Sequence, residues 1–114
     1  MLMNYIALQK DIPLRMHFSD HYYVDRVIPD KESGKNKIVK SLVFWVDRVD
    51  GDIAARTFSV LSERLYALLF PYLADFKHRE YEFTITKTGE GYLTEFQVSV
   101  EPFEAPKALE FPGP

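Results

Sequence analysis

Residues 38–73 read IVKSLVFWVDRVDGDIAARTFSVLSERLYALLFPYL, and this stretch decides the fold. Residues 38–49 are rich in β-branched and aromatic side chains, the composition of a strand. Both faces of that strand are partly apolar, which suits a central place in a sheet or cover on two sides. Asp50-Gly51 is a two-residue hairpin signal, so a short strand over Ile53–Phe58 returns antiparallel. The period then changes. Leu61, Leu65, Leu68 and Tyr72 recur at three- and four-residue spacing, with Glu63 and Arg64 off the stripe. That spacing predicts a helix over roughly residues 60–73. Ser59 is its expected N-cap, and Pro71 is expected to kink or end it.

Upstream, Ile12, Leu14, Met16 and Phe18 alternate with Pro13, Arg15 and His17, the pattern of a half-buried strand. Strand composition resumes over His21–Ile28, so one long strand bent at Ser19-Asp20 is expected. Residues 29–37 form a polar loop punctuated by Pro29 and Gly34. Downstream, Tyr81, Phe83 and Ile85 alternate with Glu82, Thr84 and Thr86. Gly89-Glu90-Gly91 turns the chain. Tyr92, Thr94, Phe96, Val98 and Val100 then alternate with Leu93, Glu95, Gln97 and Ser99. The order is strand, strand, strand, helix, strand, strand. A mostly-β domain of five strands, with its helix between the third and fourth, has the element order of an OB-fold barrel. The leucine stripe would plug one open end of that barrel.

The length of 114 residues fits one domain, and 46% apolar residues exclude wholesale disorder. The expected division is a domain over residues 1–100 and a flexible tail over 101–114, which holds four prolines and one glycine. The absence of cysteine excludes a disulfide framework and a thiolate metal site, and permits a cytoplasmic compartment. MLMNYIALQKD has no basic region followed by an apolar core. No stretch approaches the ~20 apolar residues of a membrane span, so a cytoplasmic protein without membrane contact is expected. The net charge of −3 is an average of two unlike parts. Residues 1–79 hold 12 basic and 10 acidic side chains, and residues 80–114 hold 2 and 7.

OB folds bind ligands on the face of strands two and three, flanked by the loops joining strands one to two and four to five. Within residues 31–40, Lys31, Lys35, Lys37 and Lys40 stand against Glu32 alone. The hairpin holds Trp45, Arg48 and Arg56. The second loop is flanked by Lys87 and Tyr92, and its glycines let a ligand approach the backbone. Single-stranded nucleic acid is recognised by this mixture: cations neutralise phosphates, and aromatic faces stack on bases at ~1–3 kcal/mol each. The candidate site is therefore Lys35, Lys37, Lys40, Trp45, Arg48, Arg56, Lys87 and Tyr92, with Tyr23 a further stacking candidate. Parity does not assign Trp45 to a face. If it points inward, Phe44 and Arg48 become the outward pair.

Ile85-Thr86-Lys87-Thr88-Gly89-Glu90-Gly91, followed by Thr94-Glu95-Phe96 and Val98, resembles the hairpin of the phage and archaeal OB-fold single-stranded-DNA-binding proteins. Val24-Asp25-Arg26-Val27-Ile28-Pro29 is similar to the Arg-apolar-apolar-Pro that closes that family's first strand. Val46-Asp47-Arg48-Val49-Asp50-Gly51 is similar to its hairpin turn. The resemblance spans about residues 12–100 and implies sequence-tolerant binding of single-stranded DNA in replication, recombination or repair, without catalysis. The chain lacks the Cys and His ligands of the zinc-bearing members. Its tail ends Glu110-Phe111-Pro112-Gly113-Pro114, not in a strongly acidic tip, which leaves tail-mediated contacts with protein partners open.

His17 and His21 read as surface histidines at a bend rather than metal ligands, and His78 as isolated in a charged loop. Asp47, Asp50 and Asp52 are turn chemistry. No Cys nucleophile, Gly-x-Ser-x-Gly elbow or phosphate loop is present, so neither an enzyme nor a cofactor is expected. Two other readings stand beside DNA binding. The same platform binds RNA or oligosaccharide. Alternatively, the chain is a protein-interaction or viral assembly module in which the lysines only solvate. Apolar surface at Phe70, Tyr72, Leu73 and Phe76 beyond what a barrel end covers would then form a homodimer interface.

Overall fold

The computed structural model describes residues 5–103. Strand β1 runs over Leu14–Pro29, β2 over Asn36–Val49 and β3 over Asp52–Val60. Helix α1 follows over Glu63–Leu69, with 3-10 turns at Phe70–Tyr72 and Ala74–Glu80. β4 spans Tyr81–Thr88 and β5 Glu95–Pro102, joined by a 3-10 turn at Gly91–Leu93. The strands form one antiparallel sheet in the order β3-β2-β1-β4-β5. The mostly-β class, the five strands and the place of the helix are as the sequence implies. The barrel is not: β3 and β5 are the two edges and do not pair, so the sheet stays open. The N-terminal segment reaches the β3 edge and, on the β1 side, β4. Ile6 N–H donates to the Thr57 carbonyl of β3 at 2.7 Å, and Asp11 N–H to the Lys87 carbonyl of β4 at 2.8 Å.

Asp50 and Gly51 take φ of 50° and 88°. Positive φ at both central residues is the mark of a type I′ turn, whose twist matches that of the strands it joins. β1 bends as expected, through a bulge. The register passes from Phe18 opposite Val46 to Asp20 opposite Trp45, which leaves Ser19 unpaired. The bulge shifts the alternation by one residue. Met16 and Phe18 enter the core before it, whereas His21 and Tyr23 take the core side after it, opposite Phe44 and Leu42. β1 and β2 stay paired out to Pro29 opposite Asn36, although β3 follows β2 no further than Leu42. This two-stranded ribbon accounts for a molecule 66 × 33 × 27 Å in extent, with a radius of gyration of 16.4 Å. A compact chain of this length would have about 13 Å.

The core gathers Met16, Phe18, Phe44, Val46, Phe83 and Ile85 from the sheet. Phe18 stacks on Phe44 at 4.0 Å and on Phe83 at 5.0 Å. The helix closes this core on a different phase from the expected one. Its cap is Ser62, not Ser59, and the Ser62 Oγ accepts from Leu65 N–H at 3.4 Å. Leu61 therefore precedes the helix and is exposed, as is Leu68. Leu65, Leu69 and Leu73 are buried instead, at four-residue spacing. Pro71, with no N–H to donate, ends the α-helix and passes the chain into a 3-10 turn. Each fully buried leucine contributes about 1.5–3 kcal/mol.

Residues 101–103, expected in the tail, belong to the fold. Glu101 and Pro102 close β5, and Phe103 N–H donates to the Glu80 carbonyl at 2.9 Å. Residues 104–114 lie outside the described residues. No helix among the described residues is long and apolar enough to cross a membrane.

Candidate functional site

Side chains alternate across a strand, so the register assigns each one a face. Phe44 and Val46 enter the core, which sends Trp45 out on the opposite, outer face, where it is 40% exposed. Tyr22 pairs with Val43 and shares that outer face at 42% exposure. Tyr22 and Trp45 are thus diagonal neighbours, a relation that sets residues ~7–8 Å apart. The same alternation places Lys37, opposite Ile28, on the outer face, and a second register shift, which leaves Asp47 unpaired in β2, brings Arg48, opposite His17, to that face as well. Along β2 the order is Lys37, then the Tyr22–Trp45 pair, then Arg48. The whole stripe is roughly 35 Å long at the usual strand rise. Among the described residues no ion pair engages Lys37 or Arg48. One carboxylate, Asp20, pairs with Trp45 in the register, and its Oδ1 accepts from His21 N–H at 2.8 Å.

The other expected site residues are dispersed. Lys35 is exposed in the loop at the tip of the ribbon. Lys40 takes the core-side face, where its Nζ lies 3.2 Å from Asp25 Oδ1. Arg56 pairs with Val46 and so leaves the face opposite Trp45. Lys87 pairs with Phe96 on the core side of β4. The backbone of Tyr92 lies in the Gly91–Leu93 turn, and its side chain is outside the described residues. Tyr23, the other stacking candidate, faces α1. Its hydroxyl lies 3.0 Å from that of Tyr66, and this hydrogen bond, with burial second, pushes its pKa up to about 12. Tyr22 takes the outer place because of the bulge at Ser19. Carrying the alternation of residues 12–18 forward unbroken points to Tyr23.

The histidines are not at the surface as expected. His17 and His78 are buried, and His78 is not isolated. A bulge takes backbone carbonyls out of the strand ladder, and buried carbonyls need partners. The segment Ala74–Glu80 supplies them: His78 Nδ1–H donates to the Phe18 carbonyl at 2.8 Å, and Arg79 Nε–H to the Ser19 carbonyl at 2.6 Å. His17 stands between Asp47 Oδ1 at 2.6 Å and the Arg79 carbonyl at 2.7 Å, with Phe103 stacked on it at 3.7 Å. His21 Nδ1 lies 2.8 Å from His78 Nε2. A carbonyl only accepts, so His78 keeps its proton on Nδ1, and His21 is the donor to its Nε2. Two facing nitrogens that close leave no room for an ion bound at ~2.0–2.1 Å from each. Among the described residues no group of three or more side chains is placed to hold a metal. The cluster anchors the chain leaving the helix to the bend in β1. Asp50 serves its turn: Asp50 N–H donates to the Arg15 carbonyl at 2.8 Å, and its Oδ1 accepts from Arg15 N–H at 3.2 Å.

Comparison of the chain with family models, with curated proteins and with solved structures gives no match in any of the three.

Proposed function

We propose that this chain binds single-stranded DNA across the outer face of β1 and β2, without catalysis, as part of replication, recombination or repair. The observation that carries this reading is the exposed Tyr22–Trp45 diagonal, flanked on the same face by Lys37 and Arg48. Two aromatic faces offer successive bases a stacking platform. The cations on either side meet phosphates, and Lys35 at the ribbon tip extends the basic track. Every base has a π-face, so such a surface tolerates any sequence. The resemblance of residues 12–100 to phage and archaeal single-strand binders supports the same reading. The setting would be the cytoplasm of a cell or of an infected host.

Trp45 is the only tryptophan and reports binding directly. Titration with oligo-dT at two salt concentrations should quench its fluorescence saturably. The affinity should fall steeply with salt, because phosphate contacts release counterions. No quenching at low salt overturns the reading.

A second reading, a protein-interaction or assembly module, is supported by the exposure of Ile53 (77%) and Phe70 (57%). It predicts an oligomer that grows with concentration and ignores DNA, which sedimentation of the chain with and without oligo-dT would show.

A further inference from the structure

A cleft of about 570 Å³ opens between the N-terminal segment, the end of β3 and the start of α1. None of Lys37, Tyr22, Trp45 and Arg48 lines it. Its volume is that of pockets that take a small organic ligand. The wall is an extension of the core: Ile6, Phe58 and Leu65 are buried, and Leu8 and Phe96 pack against them. Two cations, Arg26 and Lys87, complete the lining, and no Asp or Glu contributes to it.

The charge balance of the cleft differs from that of its surroundings. Lys10 pairs with Glu90, Arg15 with Glu82 and Lys40 with Asp25. Arg26 and Lys87 are both partly buried, yet no ion pair among the described residues engages either. Arg26 Nε–H donates to Ser41 Oγ at 2.6 Å, which fixes the guanidinium and leaves its two terminal nitrogens for another acceptor. A cation held partly out of water is stabilised by an anion, and a guanidinium takes an oxyanion through two parallel hydrogen bonds.

We propose that this cleft binds an amphipathic anion. Its apolar body lies along Ile6, Leu65 and Phe96, and its single oxyanion head, carboxylate or phosphate, meets Arg26 and Lys87. The proposal does not depend on DNA binding, since none of the four stripe residues lines the cleft, although Arg26, bonded to Ser41, leaves β1 on the same face as Tyr22.

The test is amide NMR of the whole chain, titrated separately with sodium decanoate, decyl phosphate and decanol, each below its aggregation limit. Saturable shifts at Ile6, Leu65 and Phe96 with an anion are expected. The anion that gives them identifies the head group, and decanol should bind more weakly. The double variant Arg26→Gln/Lys87→Gln should weaken the anion by about tenfold or more and leave decanol unchanged. Ser59→Glu, at an exposed position on the cleft, adds a repelling carboxylate and should act in the same direction if the double variant does not fold. The proposal is overturned if neither anion shifts these amides saturably. It is also overturned if decanol binds as well as the anions, or if the charge-changing variants leave anion affinity unchanged.

Discussion

His21 Nδ1 stands 2.8 Å from His78 Nε2, and through it the bend of β1 is tied to the segment that carries the chain from the helix into β4. Burial is the main cause holding both rings below the usual histidine value of 6.5. At His21 the nearby Asp20 opposes that shift and Arg79 adds to it. At His78 the bond to the Phe18 carbonyl opposes it, while the charges of His21, Arg79 and His17 add.

The sign of the pH dependence follows from that depression. The unfolded chain takes up these protons near pH 6.5, and the folded chain only at lower pH. The stability contributed by the neutral rings is complete above pH 6.5 and is lost as the pH falls below it. Thermal unfolding followed between about pH 8 and pH 5 should show a flat midpoint that drops on the acid side. A midpoint that rises as the pH falls through this window would contradict the arrangement.

The phase of the helix is tested by neighbouring leucines. Leu69 is fully buried and Leu68 is exposed. Leu69→Ala should cost about 2–5 kcal/mol of unfolding free energy in urea, and Leu68→Ala about 0.5 kcal/mol or less. Equal costs would place the helix on the wrong face.

The turn between β4 and β5 depends on one glycine. Gly89 has φ of 78°, and a side chain there would run into the Leu93 carbonyl. Gly34 has a similar φ of 70° but open space around it. Both alanine substitutions carry the left-handed strain of about 1–2 kcal/mol. Gly89→Ala should cost more than Gly34→Ala, since only there must the backbone also move. Chemical denaturation of the two variants measures the difference.

Much of this fold is legible where the forces are local. The alternation at Met16–Phe18 and at Tyr81–Ile85 shows which side chains seek the core, and Asp50-Gly51 shows where the hairpin turns. The bulge is harder to read, because Ser19-Asp20 is equally at home in a bend, a loop or a strand. Its one-residue shift decides that Tyr22, and not Tyr23, faces out. Trp45 is unreadable from parity for a related reason: Val43 on its own face is also buried, so both sides of β2 are apolar. The histidines are misread because their partners are the Phe18 and Arg79 carbonyls and the Asp47 carboxylate, remote in sequence. Barrel closure rests on pairing between β3 and β5, which no local pattern encodes.

The outer-face stripe is separable from the basic residues on the other side of the sheet. Tyr22→Ala and Trp45→Ala remove stacking faces worth ~1–3 kcal/mol each. Lys37→Gln and Arg48→Gln should each lower the dependence of log affinity on log salt by about one.

The most direct measurement is the affinity for fluorescently labelled oligo-dT of two double variants, compared at one low salt concentration with the unaltered chain. Tyr22→Ala/Trp45→Ala changes the outer face, and Lys40→Gln/Arg56→Gln changes the opposite one. The outer-face pair should lose affinity by about tenfold or more, with the opposite pair staying within about threefold. Equal losses, or a larger loss from Lys40→Gln/Arg56→Gln, would contradict DNA binding on the Tyr22–Trp45 face.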